Sequence, residues 1–239
     1  MDPSHFYSTR PLKSVDDDLV DIQVILRELV KKGSKNVKLI NYYQGMPLCF
    51  PAKIVGCDHG MLDLDIHPQQ AVAIERDRYT FLRCAAFKHD IGARIQYINV
   101  NKRAATLTKF FYLEIMAERR AAIRLAMPPP ARATFAFNGE AISGKILDIS
   151  MNGLAFTSNH LPDCAEDLEA RISFMVPDAT MSREICLETP ARYIKTTDQD
   201  GCHTLIFSIT PEKGTDQLLS RYIFQRQVEI IQELRDASS

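Results

Sequence analysis

The sequence predicts a mainly β protein with a few helices, organised as two small β-barrel domains in tandem. A chain of 239 residues is long enough for two modest domains, each with its own core. Two groups of short segments with alternating apolar and polar residues predict two sets of strands. A less regular segment, residues 113–125, separates them, and helical periodicity occurs near both ends of the chain.

The first half is predicted to be a small β-barrel or sandwich with one helix, over residues 15–112. Residues 1–14 lack periodicity and are expected to form a loose leader. Acidic residues 16–18 suit the positive end of a helix dipole, and a basic pair before Gly33 suits its end. The apolar stripe of this helix is Leu19, Ile22, Leu26 and Leu29. Strands are predicted at 37–43, 50–56, 61–66, 80–87 and 93–100, with a hairpin turn at 57–60.

The second half is predicted to be a six-stranded barrel with a C-terminal helix, over residues 126–239. Three prolines at 128–130 stiffen its entry. The predicted strands are 131–137, 141–149, 154–157, 168–176, 184–195 and 203–209. A break at 211–215 precedes a helix that extends to about Asp236, and its apolar face comprises Leu219, Tyr222, Ile223, Ile230 and Leu234.

Composition narrows the function classes. The formal net charge is −1 and the pI is near 6.6, so no global basic field exists to hold nucleic acid. No apolar run has the length of a transmembrane helix and the amino terminus does not resemble a signal peptide, so we expect a cytoplasmic protein without membrane insertion. The cysteines are expected to be reduced and in the core: Cys49, Cys57, Cys84, Cys164, Cys186 and Cys202.

Positive charge is concentrated in one segment. Between residues 102 and 132, seven basic and two acidic side chains give a net charge of +5 on a chain that is otherwise mildly acidic. A local patch of this kind suits a small dianion better than a long polyanion. The alternative is an ordinary solvated charged surface.

Two short motifs carry most of the functional information. Residues 120–124 form an R-x-x-x-R element with Arg120 and Arg124, and residues 148–153 form a D-x-S-x-x-G element with Asp148, Ser150 and Gly153. Each alone is weak, since helices often carry paired arginines and Asp, Ser and Gly are common in turns. Their joint occurrence is more informative, because the second motif lies between two predicted strands.

Together the motifs resemble the ligand signature of PilZ domains, the bacterial receptors for cyclic di-GMP. The resemblance implies that Arg120 and Arg124 hold phosphates and guanine edges, since a guanidinium can fork onto both and stack on the base. Asp148 and Ser150 would hold the second base region, with the carboxylate accepting from guanine N–H groups. Gly153 would give the turn a positive φ or a close approach to the ligand. Arg119, just before the motif, would add a third guanidinium that could favour two intercalated ligands.

The length and strand order of residues 15–112 resemble the amino-terminal domain of YcgR-type proteins, the flagellar-brake branch of PilZ receptors. That resemblance implies control of a protein effector such as flagellar motor components, and recruitment to the flagellar basal body. Ligand binding would reorient the two domains about the linker at residues 113–125. The C-terminal helix would cover the barrel or pack on a second copy in a homodimer.

Other functions have weaker support. No motif of a catalytic constellation occurs, and Asp63 and Asp65 fit solvated strand alternation, so no enzyme is expected. Histidines near cysteines, at 57 and 59, 84 and 89, and 202 and 203, lack metal-ligand spacing, so neither a metal nor a cofactor is expected.

Two binding alternatives remain open at the sequence level. One is a PilZ-like interaction module that does not bind nucleotide, although the intact arginines argue against it. The other is an oligonucleotide-binding barrel, which usually has a broad basic groove with stacking aromatic residues, whereas this chain has no tryptophan.

Overall fold

The computed structural model describes residues 6–33, 36–137, 139–159, 168–178, 183–199 and 202–238. The first half contains β1 (Ser8–Thr9), α1 (Val15–Lys31), β2 (Asn36–Tyr43), β3 (Met46–Asp58), β4 (Met61–Asp65), α2 (Pro68–Asp77), β5 (Tyr79–Arg83), β6 (Asp90–Asn99) and β7 (Ala104–Glu114). The second half contains β8 (Leu125–Phe137), β9 (Glu140–Ser150), β10 (Gly153–Ser158), β11 (Glu169–Asp178), β12 (Arg183–Gln199), β13 (Cys202–Ile209) and α3 (Thr215–Ala237).

The chain divides into two compact units. The first comprises Met1–Tyr43, Pro47–Arg120 and Ile231–Ser239, and the second comprises Gln44–Met46 and Ala121–Ile230. The division between Arg120 and Ala121 falls inside the segment predicted as a linker, residues 113–125. It also separates the two arginines of the R-x-x-x-R motif.

The first unit is a closed ring of six strands, which confirms the predicted barrel. Its sheet has the order β1-β7-β4-β3-β2-β5-β6, and pairing of β6 with β7 closes the ring. The prediction of a single helix in this half was wrong, because α2 is a second one. This helix has only ten residues, too few for its periodicity to stand out. His67 caps it by accepting a hydrogen bond from the Gln69 backbone N–H at 3.3 Å.

Strand β7 lay outside the predicted strands because its alternation is interrupted. Ala105 and Leu107 are buried, and so are Phe110 and Tyr112, so the buried positions change from odd to even numbers within the strand. Lys109 lies at the interruption with a left-handed φ of 52°. Arg94 of β6 pairs with Thr108, and Gly92 pairs with Phe111, so two residues of β7 lie opposite one of β6.

Helix α1 matches its prediction, and the segment before it is structured from Phe6 onward. Ile22 and Leu26 are buried in the core of the first unit. Within the predicted loose leader, the buried ring of Phe6 stacks on Tyr42 at a centroid distance of 4.7 Å. Asp18 then fixes the entry to α1 by accepting from the Leu12 and Lys13 backbone N–H groups at 2.8 and 3.1 Å.

The second unit is a closed barrel in the order β10-β13-β12-β11-β8-β9, which confirms the predicted six strands. Phenylalanines 135, 156, 174 and 207 fill its interior. The predicted apolar face of α3 is buried at each of its five positions.

Two cysteines differ from expectation, because Cys49 and Cys186 are free but exposed and not in the core. Within the described residues, no helix is long and apolar enough to cross a membrane.

A buried polar cluster lies beside α2 in the first unit. The Asn41 Oδ1 atom accepts from Gln70 Nε2 at 2.6 Å and from Thr80 Oγ1 at 2.7 Å, and all three side chains are fully buried. Asp77 ends α2 nearby. Burial raises the pKa of its carboxyl from 3.8 to about 6, although Arg76 and Asn41 partly oppose the shift. The cluster therefore includes a carboxyl group whose ionised form is disfavoured in the folded state.

This shift predicts a pH-dependent stability. The folded state holds the Asp77 proton more tightly than the unfolded state, so the free energy of unfolding should fall as pH rises from about 4 to about 6 and stay low above that. Asp77→Asn cannot ionise and should raise stability at pH 7 by about 2 kcal/mol, while flattening this part of the profile. Urea denaturation between pH 4 and 8 measures both effects.

Asp65→Asn provides the matched control, because Asp65 is exposed on β4. It should change stability by no more than about 0.5 kcal/mol. A decrease in stability at pH 7 for Asp77→Asn would show that the charged carboxylate is stabilising, contrary to this prediction.

Candidate functional site

The D-x-S-x-x-G motif forms the turn between β9 and β10. Ser150 ends β9, Gly153 begins β10, and the two residues pair across the turn. The buried Ser150 hydroxyl donates to the Gly153 carbonyl oxygen at 3.0 Å, and it accepts from the Asn152 backbone N–H at 3.4 Å. Ser150 therefore organises the turn through its own side chain, in addition to any contact with a ligand.

A β-bulge at Leu147 decides which way the motif faces. Ile146 pairs with Phe156 and Asp148 pairs with Ala155, so Leu147 is an extra residue in β9. Ile146 and Ile149 are both fully buried, as are their partners Phe156 and Leu154. Because side chains alternate along a strand, Asp148 and Ser150 face away from the barrel interior, on the side opposite Ile149. Without the bulge, Asp148 would share the interior face with Ile146.

Strand β8 is irregular at the same level. Ala126 pairs with Asp148 and Ala131 pairs with Ile146, so residues 127–130 of β8 lie opposite Leu147 alone. This segment contains the three prolines at 128–130, which have no backbone N–H to donate to a neighbouring strand. Prolines are thus well suited to this segment, which does not take part in the regular hydrogen-bond ladder between β8 and β9.

Arg124 lies on the same outer face as the turn. Leu125 pairs with Ile149, so the preceding residue, Arg124, is next to Ser150 as the ladder continues. The half-buried Arg124 side chain runs toward Gly153, because its Nη2 atom is 3.7 Å from the position that a Cβ on Gly153 would occupy. Arg124, Ser150 and Gly153 are therefore brought together in one row across three strands.

Gly153 is required because a side chain would not fit at this position, and not because of its backbone conformation. Among the described residues, positive φ occurs at five other glycines but not at Gly153, so of the two alternatives predicted for Gly153 the positive φ does not apply. A Cβ at Gly153 would lie 2.9 Å from the Phe207 carbonyl oxygen of the neighbouring strand. The close approach is thus between two strands, and the Arg124 guanidinium lies beside the buried Gly153.

The outer row continues onto strands that the sequence analysis did not connect to the motifs. Gly153 pairs with Ser208 of β13, and Ser208 pairs with Arg192 of β12. A second row follows Asp148 through Ala155 and Ile206 to Lys195. Residues paired directly across antiparallel strands point to the same face. The sequence alone could not place Arg192 and Lys195 in these rows, because cross-strand register cannot be read from one sequence.

Arg119 and Arg120 belong to the first unit. Arg119 ends a short 3₁₀ turn, Met116–Arg119, and its Nη1 atom lies 3.5 Å from Glu114 Oε1. The Arg120 guanidinium lies over the Phe6 ring at 5.8 Å from the centroid. Glu118 accepts two hydrogen bonds from Arg83, at 3.0 and 2.8 Å, so its charge is already compensated. Glu118 is therefore held by Arg83, whereas Glu114 pairs with Arg119.

No group of three or more potential metal ligands occurs within the part of the chain that the structure describes. Of the histidine–cysteine pairs considered above, Cys57 and Cys84 are free thiols. Cys164 lies outside the described residues.

Comparison with known proteins identifies the domain that contains both motifs. Residues 118–225 match the model of the PilZ domain family. The matched range includes the arginine motif and the β9–β10 turn. No curated protein matches the sequence of the chain.

Several solved structures resemble the chain at low identity. YcgR from Escherichia coli in complex with c-di-GMP is 15% identical, covers 99% of each chain and has a TM-score of 0.43. The Bacillus subtilis inhibitor of motility (MotI/DgrA) is 15% identical over 82% of this chain and 96% of that chain, with a TM-score of 0.43. The K. pneumonia MrkH–c-di-GMP complex is 13% identical over 90% and 96%, with a TM-score of 0.41.

The contact at Gly153 predicts a stability change. Gly153→Ala should lower the free energy of unfolding by about 1–3 kcal/mol, because the added Cβ forces β10 away from the Phe207 carbonyl group. Chemical denaturation measures the effect. Gly56→Ala is the control, since its Cβ would meet only Asp63 Oδ2 at an ordinary 3.9 Å and its φ is not positive. Equal stability of Gly153→Ala and wild type would contradict this account of the turn.

Proposed function

We propose that the protein is a cytoplasmic receptor for cyclic di-GMP and not an enzyme. The observation that carries the proposal is the row formed by Arg124, Ser150 and Gly153, with Asp148 beside it on the same outer face of a PilZ domain. PilZ domains bind cyclic di-GMP as a ligand. The residue types on this face provide the charge and hydrogen-bonding groups that such a ligand requires.

Each motif residue has a distinct role in this proposal. Arg124 holds a phosphate or the O6 and N7 edge of a guanine, for which its forked guanidinium is suited. The Asp148 carboxylate accepts hydrogen bonds from guanine N1–H and the exocyclic amine, groups that an arginine cannot satisfy. Ser150 holds the turn in place, and Gly153 leaves room for the ligand. Arg120 provides the second guanidinium of the motif, and Arg119 provides a third.

Ligand binding would couple the two units. The boundary between them lies between Arg120 and Ala121, so the R-x-x-x-R motif contributes one arginine to each unit. A ligand held by both arginines and by Asp148 favours the arrangement in which all of them reach it, and it therefore shifts the population toward that arrangement. The first unit then presents a changed surface to a protein effector.

The effector belongs to motility or surface behaviour in this proposal, with flagellar motor components at the basal body as the candidates. The choice of a motility effector rests on the resemblance of residues 15–112 to YcgR-type proteins and is a fold-level analogy. Homodimerisation through α3 is a further possibility that sedimentation analysis would test.

Calorimetric titration of cyclic di-GMP tests the proposed receptor. We expect saturable binding to the wild type, with a stoichiometry that distinguishes one ligand from two. Arg120→Ala, Arg124→Ala and Asp148→Ala should each weaken binding at least tenfold, because each removes a hydrogen bond to a charged group worth about 1.5–3 kcal/mol.

Arg183→Ala is the matched control for this titration. Arg183 is exposed at the start of β12, and its substitution removes the same charge from the same barrel. Its affinity should stay within about twofold of wild type. Absence of saturable binding to folded wild-type protein would contradict the receptor function and favour a PilZ-like module that binds only a protein partner.

The coupling predicts a ligand-dependent change in solution scattering. Saturating cyclic di-GMP should alter the distribution of interatomic distances of the wild type, since the ligand selects one arrangement of the units. Arg124→Ala at the same ligand concentration should retain the distribution of the free protein. Superimposable curves for free and saturated wild type would exclude reorientation while leaving ligand binding intact.

A further inference from the structure

The turn between β2 and β3 contacts the backbone at the start of β8. Its residues, Gln44–Met46, belong to the second unit together with β8. The Gln44 carbonyl oxygen accepts a hydrogen bond from the Ala126 backbone N–H at 2.9 Å. Gly45 lies so close to the Arg124 carbonyl oxygen that a Cβ on Gly45 would overlap with it. The turn therefore packs against the backbone from Arg124 to Ala126.

The turn has a backbone conformation that favours glycine at its second position. β2 ends at Tyr43 and β3 begins at Met46, so the loop has two residues. Gln44 has a φ of 51° and Gly45 a φ of 87°, both in the left-handed region. Two successive residues with positive φ are typical of a type I′ hairpin turn. A side chain at position 45 would thus be strained by its φ and blocked by the Arg124 carbonyl group.

A side chain of α3 holds the turn in place. The Gln44 side chain is buried, and its Oε1 atom accepts a hydrogen bond from Arg226 Nη2. Arg226 also donates from Nη1 to Glu229 Oε2 at 2.9 Å, and only 11% of its side chain is exposed. The position of the turn is therefore fixed by a largely buried polar contact in addition to its backbone hydrogen bond.

The turn lies along the edge of β8 opposite β9. β9 pairs with Leu125 and Ala126 on one edge of β8. On the other edge, β11 pairs with residues 133–136, farther along the strand. A backbone N–H group in a strand points to one edge, so the Ala126 N–H group that bonds to Gln44 points away from β9. The backbone that follows Arg124 is therefore held from both edges.

We propose that the β2–β3 turn, through Gln44 and Gly45, positions Arg124 for the ligand without touching the ligand itself. The proposal rests on the cyclic di-GMP receptor function and identifies what holds the arginine of its site. Both residues lie outside the range that matches the PilZ family, residues 118–225.

The length of the Arg124 side chain makes its affinity for a ligand sensitive to the backbone. Its Nη2 atom is 3.7 Å from the position that a Cβ on Gly153 would occupy, so the guanidinium lies beside the motif turn. Fixing a long side chain costs rotamer freedom, and a site that is already ordered binds more tightly than one that must be ordered by its ligand. A shift of the Arg124 carbonyl group would move the Cα and Cβ atoms from which this side chain extends.

Titration of cyclic di-GMP into Gly45→Ala and Gly139→Ala tests the proposal. Gly139, just before β9, is the matched control because its φ of 83° is also left-handed, but a Cβ there would meet no atom within 4 Å. Both substitutions therefore strain a turn, and only Gly45→Ala displaces the Arg124 carbonyl group. We expect Gly45→Ala to weaken binding about tenfold and Gly139→Ala by less than about twofold.

A double-variant cycle with Arg124 distinguishes positioning from a general loss of structure. In the Arg124→Ala background, Gly45→Ala should change the affinity by less than about twofold, because the guanidinium that it would misplace is absent. Gln44→Asn is a second variant for the same cycle. Asparagine tolerates the left-handed φ, but its side chain is one methylene shorter and loses the contact with Arg226. It should weaken binding about two- to fivefold in the wild-type background alone.

Thermal unfolding shows which variants are folded under the titration conditions, and Gln44→Asn carries the test if Gly45→Ala does not fold. Saturable binding to wild type with unchanged affinity for both turn variants would overturn this proposal and leave the receptor function intact. An effect of the turn variants that persists in the Arg124→Ala background, or an equal effect of Gly139→Ala, would also overturn it. Absence of wild-type binding would overturn both proposals.

Discussion

The candidate site depends on one register shift in the second barrel. The extra residue Leu147 lets Ile146 and Ile149 both remain in the core while Asp148 and Ser150 face outward. A strand without this bulge could turn both isoleucines inward or turn the motif side chains away from the interior, but not both, since side chains alternate with a period of two. A bulge interrupts the hydrogen bonds of the strand ladder. In the neighbouring segment of β8 this interruption leaves fewer N–H groups unpaired, because the three prolines there have none.

The same physical constraint links stability to binding at Gly153. A Cβ at Gly153 would lie 2.9 Å from the Phe207 carbonyl oxygen, so the packing of β10 against β13 leaves no room for a side chain at this point of the outer face. The missing side chain at Gly153 therefore follows from packing between strands, and the Arg124 guanidinium lies beside that position.

Much of the fold could be predicted from the sequence because the signals are local. Alternation in the six strands of the second half, the stripe on α1 and the apolar face of α3 need only neighbouring residues, and each was confirmed. Helix α2 was too short for periodicity, and β7 was interrupted at Lys109. The motifs pointed to the β9–β10 turn through their residue types. Arg192 and Lys195 had no such signal, because their place on the outer face depends on pairing with β13 and on the extra residue Ile194.

A crystal structure of the protein with cyclic di-GMP would locate the ligand. We expect it on the outer face of β9, β10 and β13, with a phosphate or guanine edge on Arg124 and a guanine N–H group on the Asp148 carboxylate. Ligand in the barrel interior, or bound without contact to Arg124 and Asp148, would contradict this expectation.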